Sequence, residues 1–129
     1  MLPTWTAIQE HFRSKYTLEH DKPDMLSMVW AYEDGRSQKV ILRRYSSFER
    51  EMLEIKSPFA RQDAIQPELL MRKNSELPLA TTALSGDVYL VVYNLLIGSV
   101  AEDDLELVVG RVAAIADALE LEHGTGDLF

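Results

Sequence analysis

The sequence predicts an α+β fold: a single antiparallel β-sheet flanked by helices, in the order α-β-β-β-α-β-β-α. Three observations carry this expectation. Apolar residues recur at helical spacing near both ends of the chain, while the runs between them alternate with a period of two. Short Gly-containing segments join neighbouring runs, as antiparallel hairpins require. The third observation is the run DVYLVVYNLL, which begins at Asp87. Val88, Leu90 and Val92 point one way and Tyr89, Val91 and Tyr93 the other, so this strand calls for cover on both sides.

Each element has its own signal. In TWTAIQEHFRSKY, residues Trp5, Ile8, Phe12 and Tyr16 form a helical stripe, predicting a helix from Trp5 to Lys15 capped by Thr4. The polar segment EHDKPD interrupts the pattern, and its Pro excludes a central strand. MLSMVWAY reads as a strand with Leu26, Met28, Trp30 and Tyr32 on one face. EDGRSQ is its hairpin connection, with Asp34-Gly35 supplying the positive φ, and KVILRRY is the partner strand. EMLEIKS alternates Met52, Glu54 and Lys56 against Leu53 and Ile55, and Pro58 is expected to end it.

The period changes in DAIQPELLMRKNSEL, where Pro67 suits the first turn of a helix. Ile65, Leu69, Leu70 and Leu77 are expected inside, and Pro78 closes the helix. LATTAL and DVYLVVYNLL follow as strands joined at Ser85-Gly86. In the last stretch Ser99 and Glu102 have capping-box spacing, and Glu102, Asp103 and Asp104 suit the positive end of the helix dipole. Leu105, Val108, Val109, Val112, Ala116 and Leu119 form one apolar stripe. Gly124 is the expected stop, and the tail beyond it is expected to be flexible.

Composition bounds the function classes. A chain of 129 residues, 47% hydrophobic, reads as one domain, 1–129, with an ample core. With no Cys, disulfides, thiolate metal sites and a catalytic thiol are excluded. A net charge of −8, from 13 basic and 21 acidic residues, disfavours nucleic acid as a partner. No apolar run approaches the roughly 18–20 residues that span a bilayer, and the N-terminus lacks the basic and apolar regions of a signal peptide. A soluble, cytoplasmic protein without membrane contact is expected.

Catalytic signatures are absent. There is no G-x-S-x-G, no phosphate-binding G-x-x-x-x-G-K-[ST] and no G-x-G-x-x-G. Ser85 is explained by its turn, and the Glu102–Asp104 run by a helix start. His11 is expected at the surface beside Phe12, and His123 as a partner for a helix C-terminus. His20 lies among Glu19, Asp21 and Asp24, a cluster with metal-ligand chemistry that reads best as a polar loop. No cofactor, no metal and no catalysis are expected.

The doubly apolar strand leaves two readings open: a central strand within one monomeric core, or a sheet face covered by a second copy or by a segment of another protein. Candidate interface anchors are Trp30, Tyr89, Val91 and Tyr93. Arg43 and Arg44 point to opposite faces. They read either as anchors for an acidic group on a partner or as surface partners of Glu51 or Glu54.

The element order, the acidic pI near 4.8 and the passage LLMRKNSELPLATTALSGDVYLVVYNLL, running into EDDLELVVGRVAAIADALE, resemble one family in particular. They look like the Tir-chaperone (CesT-type) type III secretion chaperones, and equally like the YbjN family of sensory or regulatory proteins that shares their fold. The resemblance follows the element order over nearly the whole chain and the residues from about Leu69 to Glu120. It implies a homodimer without catalysis that is chaperone-like or regulatory. In the secretion branch an extended segment of another protein lies in apolar grooves. A small-molecule sensor with a helix-sheet pocket and a structural subunit of a larger assembly are the competing expectations.

Overall fold

In the computed structural model, which describes residues 4–123, the chain begins with α1 (Trp5–Lys15), β1 (Leu18–Lys22), β2 (Met25–Ala31), β3 (Ser37–Ser47) and β4 (Arg50–Arg61). A single 3-10 turn (Gln62–Ala64) leads to α2 (Pro67–Lys73), β5 (Thr81–Ser85), β6 (Val88–Leu96) and α3 (Glu102–Glu122). The six strands form one sheet in the order β1-β2-β3-β4-β6-β5, and every neighbouring pair is antiparallel. This is the expected α+β class with one added strand, β1.

Helix α1 occupies the expected residues. Thr4 caps it by accepting from the Ala7 amide at 3.1 Å. Trp5, Ile8 and Phe12 are buried against the sheet, and the Trp5 indole donates to the Pro23 carbonyl at 2.7 Å, pinning α1 to the β1–β2 turn. Pro23 thus stands between two strands, in a turn, where its missing N–H costs no ladder bond. The polar segment before it forms an edge strand: Asp21 pairs with Leu26 and Lys22 with Met25.

Helix α3 packs over β3, β4 and β6. Leu105, Val109, Val112, Ala116 and Leu119 are buried there against Val40, Leu42, Leu53, Ile55 and Val91. Each such large side chain contributes about 1.5–3 kcal/mol relative to leaving it in water. The helix starts at Glu102 with Ala101 as its N-cap, which makes no side-chain cap bond. Ser99 is not a capping-box partner; its hydroxyl donates to the Leu96 carbonyl at 2.6 Å within the preceding turn. Gly124 and the tail lie outside the described residues.

Pro58 does not end its strand. β4 continues to Arg61, and the register with β6 shifts between Pro58 and Ala60. A bulge is where a central sheet tolerates Pro. The inserted residue, Phe59, is fully buried and stacks on Tyr89 at 6.1 Å. On the other side of Pro58 the ladder between β3 and β4 stops at Ile41 and Lys56. A side chain fills the gap. The buried Gln38 amide donates to Ser57 Oγ at 3.0 Å and to the Pro58 carbonyl, while the Ser57 hydroxyl donates to the Lys39 carbonyl.

Pro67 stands in the first turn of α2, as its ring favours. The helix is shorter than expected, ending at Asn74 and not at Pro78, because the Asn74 side chain turns to β5. Its carboxamide oxygen accepts from the Thr82 amide at 2.7 Å, so it occupies the edge of the sheet as a neighbouring strand would. Ile65 and Leu70 are buried; Leu69 is exposed and Leu77 half-buried, because a helix this short has room for one inward-facing turn.

Candidate binding surfaces

All three helices contact the same side of the sheet, and alternation along the strands then sorts the remaining side chains onto the other. One row across the helix-free face runs Ser27, Ile41, Lys56, Val92 and Thr81 over β2, β3, β4, β6 and β5. The adjoining rows carry Val29 with Lys39, and Pro58 with Leu90 and Ala83. Val29 is exposed, Ile41 and Val92 are half-buried, and Leu90 is buried among its neighbours without joining the main core. No described helix lies over this face.

The opposite end of the face is polar. Arg43 donates to Glu54 at 2.9 Å and lies 4.7 Å from the centre of the Tyr45 ring. Lys56 reaches the same Glu54 oxygen at 3.1 Å. Burial pushes the Glu54 carboxyl up, but hydrogen bonds from Arg43 and Lys56 outweigh it and hold the group below its ordinary value. The Tyr45 hydroxyl and the Asn94 carboxamide oxygen are 2.6 Å apart. Arg44 points the other way and makes a two-point contact with Glu51, at 2.7 Å for each nitrogen, and a longer one with Asp24. Both arginines are therefore matched within the chain by the glutamates across the ladder.

The apolar anchors divide. Tyr89 is 3% exposed and Val91 fully buried, so both serve the chain's own core and offer no contact surface; the Tyr89 hydroxyl donates to the Ile65 carbonyl at 3.0 Å. Tyr93 is half-buried on the same helix-covered side. Trp30 is half-buried, lies 5.4 Å from the Tyr16 ring and fits over Gly110, where an added Cβ would stand 3.4 Å from the indole. The doubly apolar strand is thus explained on one side by the core, and its other side, with Leu90 and Val92, is on the helix-free face.

A second apolar surface was not singled out in the sequence. On the outside of α3, Leu107, Val108, Ala114, Ile115 and Ala118 face a ridge formed by Pro78 and Leu79, enclosing a groove of about 440 Å³. Leu79 is held there at φ 70°, a left-handed conformation that costs a branched side chain about 1–2 kcal/mol. Leu107 is 56% exposed and Leu121 63% exposed. A third protruding residue is Phe48, 96% exposed at the tip of the β3–β4 hairpin.

The ionisable clusters are structural in geometry. His11 is buried, not at the surface as expected, because the first turns of α3 pack over it. Its Nδ1 lies 2.8 Å from Glu102 and its Nε2 beside Glu106, which also accepts from Lys15 at 2.7 Å. The Lys15 bond, against some burial and helped by His11, holds the Glu106 carboxyl below its ordinary value. His20 sits on strand β1, not in a loop, with Nδ1 2.8 Å from Ser27 Oγ. His123 is the C-cap of α3. Among the described residues, no group of three or more His, Asp or Glu side chains is placed to hold a metal, and no helix is long and apolar enough to cross a membrane. Compared with known families and with curated proteins, the chain matches no family model and no curated protein.

Proposed function

We propose that this protein is a homodimeric, non-enzymatic binding module, chaperone-like or regulatory, that holds an extended segment of another polypeptide on its sheet. The observation that carries this reading is the helix-free face, where Val29, Ile41, Leu90 and Val92 form an apolar field beside the Arg43–Glu54–Lys56 cluster. An extended segment places alternate side chains on such a surface, apolar ones over the field and charged ones over the cluster. The resemblance to the secretion chaperones and to the YbjN proteins agrees with a module of this kind. The sensor reading asks for an enclosed pocket between helix and sheet, and that space is filled by Ile8, Phe12, Leu42, Ile55, Val109 and Val112.

The test is backbone amide NMR during titration with a panel of extended peptides that alternate apolar and charged residues. Saturable shifts confined to Val29, Ile41, Lys56 and Val92 support the proposal. Shifts absent throughout the panel, or confined to the helical side, overturn the sheet-face binding.

A further inference from the structure

We infer that α3 is the dimer contact: it pairs antiparallel with α3 of a second copy about a two-fold axis at Ala114. This rests on the homodimer reading above and specifies its surface.

The first argument is that α3 is apolar on two sides. Its inner side buries Leu105, Val109, Val112, Ala116 and Leu119. On its outer side Leu107, Arg111, Ala114, Ala118 and Leu121 follow one another at steps of four, three, four and three. That is the spacing of a seam between two packed helices.

The second argument is symmetry. Leu107 and Leu121 each stand seven residues from Ala114. A two-fold axis at Ala114 sets Leu107 of one copy against Leu121 of the other, twice, with the two Ala114 side chains meeting between them. A surface that matches itself in this way fits an isologous contact. Small side chains at 114 and 118 let the helix axes approach to about 8 Å.

The third argument is charge. The chain carries a surplus of acid, yet the one charged residue of the outer stripe is basic, Arg111, and among the described residues it makes no ion pair. About an axis at Ala114, residue 111 of one copy stands level with residue 117 of the other, so the antiparallel register brings Arg111 beside an acidic position, Asp117 of the second copy. Antiparallel packing also sets the opposed helix dipoles side by side.

Size sets the strength. The stripe spans about 21 Å of a helix about 10 Å wide. With the Pro78–Leu79 ridge it buries on the order of 400–500 Å² per copy, below the roughly 800 Å² per partner of a standard interface and in the class of weak, reversible contacts.

The chain has no cysteine, which makes an axis easy to locate. On a two-fold axis a single residue meets its own copy, so Ala114→Cys is expected to form a disulfide-linked dimer on mild oxidation, whereas the exposed Thr6→Cys is not. Ala114→Glu, which sets two carboxylates together on the axis, is expected to be monomeric by light scattering at concentrations where the parent is a dimer. Its circular dichroism is expected to stay near the parent's, since position 114 is exposed, and its thermal midpoint to lose the dependence on protein concentration that association gives the parent. A parent that is monomeric throughout the micromolar range overturns the homodimer reading itself. A dimeric parent whose Ala114→Glu variant stays dimeric, or whose Ala114→Cys variant cross-links no better than Thr6→Cys, overturns only the assignment to α3.

Discussion

The β3–β4 hairpin turns on two residues, Phe48 and Glu49, with φ of 52° and 61°. Both are left-handed, the backbone of a type I′ turn, for which Asn-Gly is the favoured pair. Each L-residue with a Cβ costs about 1–2 kcal/mol in that region, less for Asn, and nothing for Gly beyond its greater unfolded-state freedom of about 0.5–1 kcal/mol. Replacing the pair by Phe48→Asn with Glu49→Gly therefore stabilises by about 1–2 kcal/mol. No packing is lost, because the phenyl ring is in solvent. At about 3–5 °C per kcal/mol for a chain of this size, the thermal midpoint rises by about 3–10 °C. Urea unfolding followed by circular dichroism reads this as a higher midpoint at unchanged slope. An unchanged or lower midpoint would refute the turn geometry or the strain argued from it.

Other outcomes follow from the same packing. His11→Ala leaves the Glu102 and Glu106 carboxylates facing a vacated site, with an expected loss of about 1–3 kcal/mol in urea unfolding; a loss within 0.5 kcal/mol, roughly that of an ordinary surface change, would contradict a stabilising role for the His11 contacts with α3. Gln38→Leu removes the donors that satisfy Ser57 and Pro58, and a similar loss is expected, with faster hydrogen exchange at the ends of β3 and β4. Tyr32 offers a pH test. Burial first, then Asp117 and Asp34, push its hydroxyl up to about 12 from 10.0. The folded state thus holds this proton more tightly than the unfolded chain, so stability falls as pH rises from about 10 through about 12. Tyr32→Phe is expected to flatten that fall. At neutral pH it should cost nothing or gain up to about 1 kcal/mol, because the buried hydroxyl has no partner among the described residues.

Legibility in the sequence varied with the kind of signal. Helix α1 was readable to the residue, since its cap and its stripe are both local. Strand β1 was not, because LEHDK is an edge strand whose charged residues carry no alternation and whose pairing is supplied by β2. Pro58 misled through a sound local rule: the loss of one N–H was absorbed by a bulge and by Gln38, which sits far from it in sequence. The Phe48-Glu49 turn contains neither Gly nor Asn, so no turn signal existed to be read. His11 was misplaced because its burial depends on α3, some ninety residues later, as the contact with Glu106 shows. The outer stripe of α3 was visible as spacing, but a helix apolar on two sides gives no local clue to which side meets the sheet.

The gap filled by Gln38 also bears on how the molecule ages. What that site needs is a donor, since Ser57 Oγ already gives its hydrogen away and the Pro58 oxygen has none to give. Deamidation would exchange the one essential NH₂ for an oxygen, leaving volume and shape intact while setting a carboxylate against two acceptors in a dry interior. The near-isosteric Gln38→Glu should therefore be more damaging at neutral pH than the cruder Gln38→Leu, and a preparation stored long enough to lose this amide should lose its fold before it loses any recognisable feature of its surface.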